Sequence, residues 1–250
     1  MAPERALPTP AEVEAADGGG VTVLVVDSGV DAAHPDLAGA PVRAWRTAPC
    51  EPAGYRVVAD EGGDAFGHGT AVAAILRRHA PGAAIESLKV LGSDLLASSQ
   101  RILAALAWAV ERGYDVVNCS FGTSKEAFLP FYKEVVDRAF CRNVLLVAAA
   151  DNADFRAPGY PAHFPTVLAT DGGALEGLAL RRREGELVEF VARGERVRAA
   201  WRGGGWREVT GTSFAAPHLA ALAARLRQLR PGWNACQVKA ALYRLASPGL

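Results

Sequence analysis

The chain has 250 residues, half of them hydrophobic and 22% charged, which suits one large domain with a substantial core. Lys plus Arg and Asp plus Glu number 27 each, so the charge balance gives no reason to expect a nucleic-acid partner or an anionic membrane. No apolar run approaches the ~18 residues of a membrane span, and residues 1–20 carry Glu4, Glu12, Glu14 and Asp17 without the apolar block of a signal peptide.

Taken as the natural start, residues 1–20 read as a flexible arm, rich in Pro, Ala and Glu and ending in Gly18-Gly19-Gly20. Residues 21–250 form the domain. Residues 21–26 are a continuous apolar, β-branched run, the pattern of a strand buried on both faces. A helix is expected over 70–79 and a strand over 85–91. An amphipathic helix follows over 98–112, with Ile102, Leu103, Leu106 and Val110 on one face. Next come a strand over 116–119, a helix over 125–141 turning Phe128, Tyr132, Val135 and Val136 inward, and strands over 144–149 and 166–170. Residues 174–210 break the alternation with short runs around Gly185, Gly194 and Gly203, which read as hairpins. Helices over 215–229 and 234–246 close the chain. Strands alternating with helices predict an α/β fold, a mainly parallel sheet with helices on both faces.

Arg181-Arg182-Arg183 is expected to be the solvated end of a turn, given Glu184, Glu186 and Glu189 after it. Cys50, Cys119, Cys141 and Cys236 have neither metal-ligand nor redox spacing and read as free thiols of a cytoplasmic protein, with Cys119 and Cys141 as core filler. No cofactor is expected.

Four residues stand out chemically. Ser213 lies in Gly211-Thr212-Ser213-Phe214-Ala215-Ala216-Pro217-His218, at the expected start of a helix. There it reads either as a cap residue or as a nucleophile favoured by free N–H groups. Asp27 ends the first strand, Asn152 follows the strand over 144–149, and His68 opens a helix. Ligands of a parallel sheet bind at the carboxyl ends of its strands, where these residues fall. Acyl transfer needs this set: a serine, a base to take its proton, a carboxylate to orient the base and an amide for the oxyanion.

The order Asp, His, Ser and the motifs D-S-G-V-D-A-A-H-P-D-L, G-H-G-T-A-V-A, V-V-N-C-S-F-G, the asparagine before G-Y-P-A, and G-T-S-F-A-A-P-H resemble the subtilisin-like serine proteases. The resemblance covers residues 21 to about 230. It implies a three-layer subtilisin-like peptidase domain, with Ser213 as nucleophile, His68 as general acid–base, Asp27 as orienting carboxylate and Asn152 as oxyanion donor. It further implies that an extended peptide or protein substrate pairs with two backbone strips, Ser120-Phe121-Gly122 and Leu95-Leu96-Ala97. Ala149, Ala150 and Asp151 then wall the primary specificity pocket.

Several departures from the family pattern shape the expected role. Leu95-Leu96-Ala97 replaces a glycine-rich strip. Asp151 replaces a glycine, and it or Asp154 is expected to favour Lys or Arg in the substrate. Asp36 matches a family calcium ligand but lacks the partner loop, so no metal site is expected there. No large pro-domain of the family's kind is expected ahead of residue 21, and Ala6-Leu7-Pro8-Thr9-Pro10 could lie over the cleft. Together these features point to a dedicated intracellular processing endopeptidase, with a partner protein presenting the substrate. The alternatives are a peptide transferase or macrocyclase and a non-catalytic peptide-binding scaffold.

Overall fold

The computed structural model describes residues 7–39 and 41–248. A short helix, α1 (Pro10–Ala15), precedes strand β1 (Thr22–Asp27) and the two-residue strand β2 (Gly29–Val30). A hairpin of β3 (Arg43–Cys50) and β4 (Gly54–Ala59) follows, then β5 (Gly63–Asp64), α2 (His68–His79) and β6 (Ala84–Lys89). The central segment is α3 (Ser99–Arg112), β7 (Val116–Cys119), α4 (Leu129–Cys141), β8 (Leu145–Ala149) and β9 (Leu168–Gly173). The remainder is β10 (Arg181–Arg182), β11 (Phe190–Arg193), β12 (Val197–Trp201), β13 (Gly205–Val209), α5 (Thr212–Leu229), α6 (Ala235–Leu245) and β14 (Ser247–Pro248).

Among the described residues ten strands form one sheet in the order β14-β10-β11-β9-β8-β7-β1-β6-β3-β4. Its centre is parallel: β1 pairs with β6 and β7, β7 with β8, and β8 with β9. The carboxyl ends Asp27, Lys89, Cys119 and Ala149 therefore share one edge. Along β1 the side chains alternate. Val23 and Val25 face a core shared with α2, α5 and α6, whereas Leu24 and Val26 face a core shared with α3 and α4. These are the three layers. Asp27 continues the Val23–Val25 face, which aims its carboxylate toward α2.

The residues of the predicted arm include α1. Residues 1–6 lie outside the described residues, but Pro10–Ala15 is helical rather than flexible. Thr9 and Glu12 form a reciprocal capping box, Pro10 occupies the first turn and Val13 is buried. Arg225 of α5 donates to the carbonyls of Val13 and Glu14, and Gln228 accepts from the N–H groups of Asp17 and Gly18. Arg225 lies twelve residues past Ser213 on α5, about 18 Å along the helix at ~1.5 Å per residue. The described part of the arm is thus docked away from Ser213 and does not cover it.

Other local expectations shift as well. The helix over 125–141 starts as α-helix only at Leu129, after a 3₁₀ turn over Glu126–Phe128, because Pro130 has no N–H to continue an earlier start. Residues 197–209 form the expected hairpin around Gly203, but Gly194 links two sheets rather than turning a hairpin. The arginine run is solvated only at Arg181. Arg182 donates to the carbonyls of Tyr243 and Ala246, and Arg183 pairs with Asp171 at 2.7 Å and stacks on Phe155. All four cysteines are free thiols; Cys119 is buried, but Cys141 ends α4 facing solvent. Asp36 accepts from the Trp206 indole at 3.1 Å and lies 3.5 Å from Arg78. Among the described residues no helix is long and apolar enough to cross a membrane.

Candidate active site

Asp27 and His68 form a buried pair. His68 is the first residue of α2, and its Nδ1 lies 2.9 Å from both carboxylate oxygens of Asp27. Two glycines let the helix start there. Gly67 has φ +119°, and a Cβ on it would meet the Trp201 indole at 2.4 Å. A Cβ on Gly69 would stand 2.0 Å from the Gly29 carbonyl oxygen, so only glycine lets α2 approach the end of β1 this closely.

The N-terminus of α2 is satisfied by Asp64, which the sequence reading does not single out. Its Oδ1 accepts from the Ser28 hydroxyl and the N–H groups of Phe66 and Gly67. Its Oδ2 accepts from the N–H and hydroxyl of Thr70. An aspartate shortly before a helix is a capping signal, and that signal was available. Asp64 also acts electrostatically. Burial is the largest single influence on His68 and pushes its pKa down, but the charge and hydrogen bond of Asp27 and the charge of Asp64 together raise it above 6.5. A base must be neutral to take a proton, so the acid limb of kcat/KM falls above pH 6.5. Asp64→Asn removes the charge, at the cost of one acceptor oxygen at the start of α2, and shifts that limb to lower pH. An unmoved limb in a pH–rate profile would exclude the electrostatic role.

Ser213 is the second residue of α5, after Thr212, and Gly211 occupies the cap position, so Ser213 does not cap the helix. Its hydroxyl donates to the Ser120 carbonyl at 3.1 Å. Pro217 explains the reciprocal bond. Lacking an N–H, it leaves the carbonyl four residues earlier, that of Ser213, without its helical partner. The Ser120 hydroxyl donates to that carbonyl at 2.8 Å and is itself held by the Asn118 amide at 2.9 Å. The proline beyond the first turn thus creates an acceptor through which the end of β7 is fastened to α5. Phe214 packs its ring 5.1 Å from the His68 ring.

Asn152 is oriented by Thr212. The backbone N–H of Thr212 donates to Asn152 Oδ1 at 2.9 Å. A backbone N–H can only donate, so the oxygen must face it, and the Nδ2 amide is left as donor. The Thr212 hydroxyl bonds the Ala150 carbonyl at 2.8 Å, tying the segment after β8 to the start of α5. Ala149, Ala150, Asp151, Asn152, Thr212 and Ser213, together with Phe121 and Gly122, line a cavity of about 270 Å³. The antiparallel bridge between Thr123 and Tyr160 joins two of the segments that line it.

The other predicted strip is built differently. The segment leaves the Asp27 carbonyl, which accepts from Val90 and Leu91, and closes on itself. Leu95 N–H donates to the Gly92 carbonyl, Gly92 N–H to the Leu96 carbonyl, and Leu96 N–H to Asp94 Oδ1. Leu95 adopts φ +59°, a left-handed conformation costing a leucine about 1–2 kcal/mol. Three groups expected to pair with substrate are therefore spent inside the loop, and Leu96 presents its side chain to solvent at 70% exposure. Of this strip, only the Leu95 carbonyl and the backbone of Ala97 lie outside those three bonds.

Residues 18–249 match the subtilase family of peptidases, and the chain belongs to that family. It is a subtilisin-like serine peptidase. It is 32% identical over 244 residues to subtilisin BL of Lederbergia lenta, covering 92% of this chain and 84% of the relative. It is 31% identical over 249 residues to a subtilisin of Bacillus pumilus, covering 92% and 85%. A solved cold-adapted subtilisin-like serine proteinase superposes with TM-score 0.75 at 26% identity, over 91% of this chain and 82% of that one.

Proposed function

We propose that this chain is a serine endopeptidase that works through an acyl-enzyme on Ser213. The buried Asp27–His68 pair beside the start of α5 carries the reading. Asp27 accepts the Nδ1 proton of His68 and so leaves Nε2 as the base. The Ser213 oxygen attacks the peptide carbonyl while its proton passes to Nε2. The resulting oxyanion takes hydrogen bonds from Asn152 Nδ2 and the Ser213 N–H. His68 then returns the proton to the departing amine, and water, activated by the same imidazole, releases the acyl group. The acyl side of the substrate lies along Ser120-Phe121-Gly122, with one side chain in the neighbouring cavity. Substrate N–H at the Ser120 carbonyl takes the place of the Ser213 hydroxyl and frees that proton for transfer.

The sealed turn over residues 92–96 supports a narrow, processing role over bulk digestion, since it limits main-chain pairing with arbitrary sequences. The four free thiols fit a reducing, cytoplasmic compartment. The reading is tested with Asn152→Ala on a peptide substrate. Losing an oxyanion donor should lower kcat by about 10²–10³ with little change in KM. A kcat within threefold of wild type would remove Asn152 from the mechanism.

A further inference from the structure

Of the described residues that line the cavity beside Ser213, Asp151 is the one that carries a charge. Its Oδ1 accepts from the N–H groups of Ala153 at 2.8 Å and Asp154 at 3.2 Å. These bonds fix the carboxylate without neutralising it. The nearby cation of the same loop is committed elsewhere: Arg156 makes two hydrogen bonds, of 2.9 and 2.6 Å, to Glu186. Asp154 is spent locally, its Oδ1 accepting from the Arg156 N–H at 2.9 Å. The other polar residues of the lining, Thr123, Ser124, Asn152, Thr212 and Ser213, carry no positive charge.

We propose that Asp151 makes this cavity select a basic residue, Lys or Arg, on the acyl side of the scissile bond. The inference rests on the acyl-transfer reading above, which places that side chain between the segments 120–122 and 149–151. A volume of about 270 Å³ admits a long side chain. Its stem would run past Ala149, Ala150 and Gly122, and its cation would meet a carboxylate already held in place. A cation brought against a fixed carboxylate gains a charge-assisted hydrogen bond, which a neutral side chain of equal shape does not. Because Asp151 is exposed in the free protein, the gain is reduced by salt.

The test compares two fluorogenic peptides that differ only in arginine or citrulline before the scissile bond, the second being nearly isosteric and uncharged. Rates are normalised to the active sites counted by fluorophosphonate labelling. Wild type should cleave the arginine peptide about 10-fold faster or more in kcat/KM, and the ratio should fall as salt is raised. Asp151→Asn can still accept both backbone N–H bonds, so its fold is retained, and its ratio should drop to near one. A wild-type ratio near one with full labelling overturns this inference and leaves the catalytic reading standing. A wild type that does not label overturns the catalytic reading and this inference with it.

Discussion

Ser213→Ala should lower kcat by about 10⁶ and leave the protein folded. That magnitude is the one known from subtilisin when the nucleophile is removed, where residual rate comes from the oxyanion site and binding. The structure explains why so large a functional effect should carry a small structural one. Gly211 occupies the cap position of α5, so no cap is lost. The hydroxyl makes one hydrogen bond, to the Ser120 carbonyl, worth about 1 kcal/mol. Alanine has the higher helix propensity and offsets part of it. The bonds that fasten β7 to α5 run through the Ser213 backbone carbonyl and survive the change. Steady-state kinetics beside a thermal melt checks both halves. A melting temperature lowered by more than about 10 °C would show that the serine is structural.

The second large effect is expected for Asp27→Asn, about 10⁴ in kcat. Both Asp27 oxygens lie 2.9 Å from His68 Nδ1, and Oδ1 also accepts from the Ser28 N–H at 2.7 Å. In an asparagine the oxygen stays on Ser28 N–H, and the NH₂ group faces Nδ1. The imidazole then carries its proton on Nε2, the tautomer that cannot take a proton from Ser213. The pKa of His68 should fall at the same time. Burial lowers it, and with the carboxylate gone the main opposing influences disappear. The acid limb of the residual activity therefore moves to lower pH while the plateau collapses. A variant with near wild-type kcat would show that Asp27 does not set the tautomer.

The candidate residues were marked in the sequence by their chemistry and position. Asp27 ends a strand, His68 and Ser213 open helices and Asn152 follows β8, with the family motifs around them in order. The fold was legible where burial is two-sided, as in β1 and β8, whose apolar runs leave little ambiguity. Legibility failed where tertiary contacts decide. Residues 10–15 carry a local helix-start signal in Thr9, Pro10 and Glu12, but the contact that docks them, with Arg225, comes from more than 200 residues away. The β3–β4 hairpin sits at the sheet edge with a mixed burial pattern and left no clear period. Pro217 follows the first residue of α5 by five positions. Its consequence, an orphaned carbonyl met by Ser120, appears only once β7 and α5 are placed together. The strip Leu95-Leu96-Ala97 was expected to pair with substrate, and its closure through Gly92 and Asp94 depends on a leucine in a conformation that propensity disfavours.

Ser213 is proposed as the nucleophile, with the Asp27–His68 pair as its base. Intact-mass measurement after treatment with a fluorophosphonate, followed by peptide mapping, tests it most directly. The structure predicts a single adduct on Ser213 that forms in wild type, is absent from Ser213→Ala and is strongly slowed in Asp27→Asn. No adduct, or an adduct on another residue with equal rates in all three proteins, would contradict it.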